Sequence, residues 1–200
     1  MWALIEDGSI TKLINNPRGM IIDDIQYSRN IFSLWSVAEK EAKGIYEVVF
    51  NNTKKKDEEY YTNTNQTFTY DADAGTVTAT YGDATAKAHA DTLYTADDED
   101  NGLGTEGEVK VEGLKTKKIR DIKQQAAGIL AETDWYIVRK ADADTSVPSA
   151  ITNHRAAVRT KCASMETAIT NASNTAAIET LYIRNAEGVR PIGDLPTLEV

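Results

Sequence analysis

The 200-residue sequence contains one cysteine, four prolines and two histidines. A single Cys162 excludes an internal disulfide framework and any cysteine-only zinc site. His89 and His154 lie far apart and in no metal-ligand spacing, and Cys162 falls on an apolar helical face, where a free cysteine acts as a small hydrophobe. Basic residues are also short: 22 Lys and Arg against 31 Asp and Glu give a formal charge of −9. That balance argues against sequence-independent nucleic-acid binding, which needs cations to neutralise phosphates. No run approaches the roughly 18 apolar residues of a membrane span. Glu6 and Asp7 come early, with no basic leader before them, so no signal peptide is expected. A P-loop, a G-x-S-x-G elbow and a strand-linked G-x-G-x-x-G are all missing, which leaves the NTPase, serine-nucleophile and dinucleotide-binding readings without their minimal parts.

What remains is enough for an α+β protein of two halves. Residues 1–81 read as an antiparallel β domain. Ala3 to Glu6 and Ile10 to Leu13 flank Asp7-Gly8, a dipeptide that accepts the positive φ of a tight primed turn. The runs Ile45–Phe50, Glu58–Thr62, Thr67–Tyr70 and Thr76–Tyr81 are rich in β-branched and aromatic residues, with Asp71 to Gly75 as a turn between the last two. On a strand, Tyr60 and Tyr61 would point to opposite faces, so only one is expected in the core. Ser36-x-x-Glu39 has the form of a capping box opening a short helix that Gly44 ends.

Residues 82–108 are rich in Ala, Asp, Thr and Gly and read as an acidic linker or solvated excursion. Within it, Asp97, Glu99, Asn101 and Glu108 occupy the first, third, fifth and twelfth positions of an EF-hand-like loop, with Gly102 at the sixth. Calcium favours that oxygen set and that turn. Glu at the third position and Gly104 at the eighth depart from the motif, and a solvated linker accounts for the same residues.

From 109 to 184 the period is helical and the expectation is a small bundle. Ile119, Ile122, Ala126, Ile129 and Leu130 form one stripe. Thr133-Asp134 offer capping oxygens to a second helix ending at Asp142 to Thr145. Pro148 opens a third, with the face Ile151, Val158, Cys162, Met165 and Ile169, and Ser173-Asn174 cap a fourth carrying Ile178, Leu181 and Tyr182. Trp2, Trp35 and Trp135 each sit beside apolar residues in a predicted element and read as core anchors. The tail, 185–200, holds Pro191 and Pro196 and should be extended. Its apolar residues Ile192, Leu195, Leu198 and Val200 either fold back on their own domain or dock on a partner.

The segment Ile129 to Arg139 (I-L-A-E-T-D-W-Y-I-V-R), the Val147-Pro148 step and the helix His154 to Arg159 resemble the C-terminal helical region of bacteriophage tail assembly chaperone or tail-fibre assembly proteins. The opening Met1 to Gly8 is similar to their short first hairpin, and Ile25 to Asn30 followed by Gly44 to Val48 resembles the module after it in versions from marine phages. His154 stands where Tyr or Phe is usual, and Ser28 where Pro is common. The resemblance implies a non-enzymatic protein acting through contacts with other tail or tail-fibre proteins. It would serve as a virion tail or fibre-associated structural subunit or as an assembly chaperone in the host cytoplasm. It implies no cofactor, no nucleic-acid or membrane partner, and room for a homo-oligomer. It further implies a capping role for Thr133 or Asp134, Trp135 as bundle anchor, and Arg139 and Arg155 pairing with carboxylates. The other function open to the sequence is a calcium-modulated binding module built on residues 97–108.

Overall fold

A computed structural model describes residues 1–64 and 66–198. The chain forms two compact units, Met1–Thr85 and Ala86–Val200. Strands dominate the first and helices the second, which is an α+β fold.

The first unit contains β1 (Trp2–Glu6), β2 (Ser9–Ile14), β3 (Met20–Ile22), β4 (Ile25–Tyr27), α1 (Ile31–Leu34), α2 (Val37–Glu41), β5 (Ile45–Asn51), β6 (Tyr61–Thr62), β7 (Thr67–Asp71) and β8 (Thr76–Thr80). A two-residue strand, β9 (Thr85–Ala86), lies at the division. The β1–β2 hairpin turns at Asp7 (φ 49°) and Gly8 (φ 73°), the paired positive φ values that its sequence announces. Ser36 and Glu39 complete the capping box of α2: Glu39 N–H donates to Ser36 Oγ at 3.2 Å, and Ser36 N–H to Glu39 Oε2 at 2.8 Å. Gly44 follows at φ 72°, where a Cβ would lie 2.3 Å from the Ile5 carbonyl oxygen. Its own carbonyl accepts from Ile5 N–H at 2.7 Å, so a residue that ends a helix also lets β1 approach.

The main sheet has the order β2-β1-β5-β8-β7. It is mixed, which corrects the antiparallel expectation: β5 and β8 run parallel, with Val48 opposite Val77 and Asn51 opposite Thr80. The turn signals identify hairpins between chain neighbours, whereas β8 inserts between β5 and β7 through a pairing that no local signal encodes. Alternation along the strands feeds two clusters. Trp2, Leu4 and Ile45 join Ile14, Met20, Ile22, Ile31 and Phe32 on one face, while Ala3, Val48, Val77 and Ala79 gather on the other with Tyr46, Phe68 and Tyr70. The terminal strands β2 and β7 approach within 8 Å, Cα to Cα, so the sheet curls toward itself. Tyr60 and Tyr61 are both buried, against expectation. Tyr60 sits in a turn whose amides, like that of Tyr61, donate to Asp57 O, so strand alternation does not govern it.

The second unit contains β10 (Thr92–Leu93), α3 (Ala96–Asp100), β11 (Val109–Val111), α4 (Leu114–Ala131), α5 (Asp134–Ala143), α6 (Ser149–Asn171) and α7 (Thr175–Tyr182). From Ala86 onward the acidic segment belongs to this unit and is not a separating linker. Asp91 accepts from Gly113 N–H at 2.6 Å and Thr116 Oγ1 at 2.7 Å, which straps the segment to the start of α4. These bonds hold the Asp91 carboxyl below the ordinary carboxylate range, the Gly113 amide contributing most. Helices α4 and α6 are antiparallel: Lys115 Nζ donates to Thr170 O at 2.8 Å at one end, and Arg155 reaches Leu130 O at the other. Ile151, Val158, Cys162, Met165 and Ile169 are all buried, as the α6 periodicity predicts. Asn174 caps α7 by accepting from Ala177 N–H at 2.8 Å. Among the described residues, no helix is long and apolar enough to cross a membrane.

Candidate interaction surfaces

The junction of α4 and α5 is organised by a buried arginine. Arg155 Nη1 donates to Leu130 O at 2.6 Å and to Thr133 Oγ1 at 2.7 Å, and its Nη2 lies 2.8 Å from Asp134 Oδ1. Thr133 Oγ1 in turn donates to Leu130 O at 3.1 Å. The guanidinium therefore adds a charged donor to a carbonyl at the end of α4, which also accepts from Thr133 N–H at 3.1 Å, and fixes the first residue of α5. Arg155 does pair with a carboxylate. Thr133 stands at the cap position of α5 but caps nothing with its side chain, because Leu130 and Arg155 occupy the hydroxyl.

Beyond this clasp, α5 has no buried residue. Trp135 is 51% exposed, Ile137 43% and Val138 65%. Trp135 is thus no bundle anchor. The clasp holds α5 at its first residue, and the indole stacks on its helix neighbour Tyr136 (ring centroids 3.8 Å apart) instead of entering the core. Arg139 lies over the same rings, 4.8 Å from Trp135 and 5.5 Å from Tyr136, and makes a cation–π contact where pairing with a carboxylate was expected. The other two tryptophans do anchor a core: Trp2 and Trp35 pack on the first cluster of the sheet unit, Trp2 against Phe32 and Trp35 edge-on to Tyr27.

The tail folds back on its own unit. Ile192 is 3% exposed within the helical core, Leu195 packs against that core, and Ile192 N–H donates to Leu181 O at 3.0 Å. Leu198 is half-buried, and Val200 lies outside the described residues. Ile192 and Leu195 are therefore core residues and not a free docking peptide. The segment is not extended throughout either, since Asn185 caps a turn by accepting from Glu187 and Val189 N–H. Arg184 and Arg190 both hold Asp194, whose carboxyl is kept below its usual range chiefly by Arg190.

The acidic loop winds up instead of opening around an ion. Residues 96–100 are helical, with Thr95 and Asp98 as a capping box. Asp97 and Glu99, two residues apart on a helix, project to different sides. Asn101 Nδ2 donates to Asp97 O at 2.6 Å, and Glu99 Oε2 accepts from Glu106 N–H at 3.1 Å. Glu108 is joined by its backbone to Tyr94 across the hairpin, its carbonyl accepting from Tyr94 N–H at 2.9 Å. Asp98, at none of the four ligand positions, pairs with Lys110 at 2.7 Å, and that bond is the main reason its carboxyl lies low. Among the described residues, no group of three or more His, Cys, Asp or Glu is placed to hold a metal ion.

Two further groups bear on chemistry. Burial, and then the hydrogen bond to Glu166 at 3.4 Å, pushes the Cys162 thiol up, which suits a packing residue and not a nucleophile. In the first unit Tyr46 and Tyr70 share a hydrogen bond at 3.2 Å, and the Tyr46 phenol is pushed up to about 12, first by that bond and then by burial.

Comparison with known proteins finds no match to this chain among family models, curated proteins or solved structures.

Proposed function

We propose that this chain is a non-enzymatic bacteriophage tail protein that acts through protein–protein contact, as a tail or fibre-associated subunit of the virion or as a cytoplasmic assembly chaperone. The observation that carries the reading is α5, a helix fixed at its base by the Arg155 clasp that turns Trp135, Ile137 and Val138 to solvent. Trp135 and Val138, three residues apart and so neighbours on the helix surface, give α5 an exposed apolar side that suits an interaction site. An aromatic residue beside a cation is also the usual composition of binding hot spots. The same helix lies within the segment that resembles the tail-assembly family.

Mass spectrometry of purified virions and of tail intermediates from infected cells tests this directly. Stoichiometric presence in virions supports the structural subunit. Presence only with tail or fibre subunits in the lysate supports the chaperone. A chain found with neither overturns the reading.

A further inference from the structure

Tyr46 on β5 and Tyr70 on β7 are separated by a whole strand, β8, yet their side chains meet. The parallel register sets Val48 opposite Val77, and the β7–β8 register sets Val77 opposite Tyr70. Tyr46, two residues before Val48, shares its face of the sheet, so both tyrosines pack on the cluster of Ala3, Val48, Val77 and Ala79. Their ring centroids are 5.0 Å apart at an interplanar angle of 53°, and Tyr70 O–H donates to the Tyr46 hydroxyl oxygen at 3.2 Å. The rings therefore converge toward their hydroxyl ends, which brings together the carbons beside the hydroxyls.

We propose that Tyr46 and Tyr70 form a site of oxidative cross-linking, at which a one-electron oxidant joins the two rings as dityrosine. Each phenol gives one electron to the oxidant and its hydroxyl proton to water, leaving a phenoxyl radical with spin density on the ring carbons ortho to oxygen. The two radicals form one carbon–carbon bond between such carbons. The hydrogens those carbons carried then move to the oxygens and restore both phenols. In all, the pair loses two electrons and two protons, and two equivalents of a one-electron acceptor take up the electrons.

A covalent tie of this kind does what a disulfide cannot do here. The chain has one cysteine. Strands that flank a third lie roughly 10 Å apart, beyond the roughly 7 Å between Cα atoms that a disulfide spans. Two tyrosines that meet tip to tip cover that distance. Both side chains are half-buried, so a dissolved oxidant reaches them while the packing keeps each ring on its partner. The bond would close 24 residues of chain and fix β7, the last strand of the sheet, to β5 across β8.

The test is brief photo-oxidation of the folded full chain with a ruthenium tris-bipyridine sensitiser, with persulfate as the final electron acceptor. The expected product is a monomer lighter by two hydrogen atoms that shows dityrosine fluorescence. Its tryptic digest should join residues 44–54 to residues 57–87, with the link mapped to Tyr46 and Tyr70. Tyr46→Phe and Tyr70→Phe, which keep the rings and lose one phenol, should each abolish that link. Tyr81→Phe, in the same tryptic peptide as Tyr70 but outside the pair, should leave its yield unchanged. The link should be lost when the chain is unfolded in urea before illumination. Circular dichroism matching the parent, recorded before illumination, reports that each variant is folded. Absence of the link, coupling only between copies, its survival in either variant of the pair, or equal yield from the unfolded chain overturns the proposal.

Discussion

The two units bury different things. Among the described residues of the sheet unit the only buried charged side chain is Lys40, the phenols of Tyr60 and Tyr61 being further buried polar groups, whereas the helical unit buries Lys118, Thr133, His154, Arg155 and Thr175. A strand offers its side chains to two faces and its backbone to neighbouring strands, so a core can close with tyrosines as nearly its only polar side chains. A helix satisfies its own backbone except at its ends. Where α4 ends and α5 begins, Arg155 ties together the Leu130 carbonyl, the Thr133 hydroxyl and the Asp134 carboxylate. The lesson is that apolar alternation specifies the first unit, while a few buried polar groups specify the connections of the second.

Three measurements sharpen or break that contrast. The largest effect is expected at Ile45, which is fully buried in the sheet unit. Ile45→Ala should cost about 2–5 kcal/mol in chemical denaturation, the range for truncating a core aliphatic residue. A loss well under that range would mean the sheet does not depend on apolar packing as described. Next is Arg155→Met, which removes the charged donor shared by Leu130 O and Thr133 Oγ1 and the partner of Asp134, and should cost about 2–3 kcal/mol. Its distinguishing signature is faster amide exchange confined to α5. Loss of stability with α5 protection unchanged would show that the clasp does not position that helix.

The smallest effect is spectroscopic. Tyr46 should ionise late in an ultraviolet titration, near pH 12, and Tyr70→Phe should return it toward 10. Because the folded value is raised, the contribution of Tyr46 to stability is complete below pH 10 and is lost as pH rises through about 12. Tyrosines that all titrate together near pH 10 would show that this pair is not formed.

Much of this was legible in local sequence, and for a physical reason. The Asp7-Gly8 turn, the Ser36–Glu39 box, the Asn174 cap and the α6 face each depend on residues within a turn or two of one another. The parallel β5–β8 pairing, the fold-back of Ile192 and Leu195, and the reach of Arg155 to Leu130 and Thr133 join distant segments, and no spacing encodes them. Trp135 was misplaced because an apolar residue in a helix reads as core wherever the helix has a neighbour to cover it, and α5 leaves that side bare.

The order of strands in the sheet also bears on how the chain is made. During synthesis the β1–β2 hairpin emerges before β5, yet β1 waits for β5, and β5 cannot complete its parallel ladder until Val77 to Thr80 have left the ribosome. Such distant pairings are slow to form, because loop entropy is lost before any contact offsets it. Until then the Val48 side of β5 is an unmatched edge on a nascent chain. Between the synthesis of β5 and that of β8, this edge is free to pair with another strand, including the same strand of a second copy.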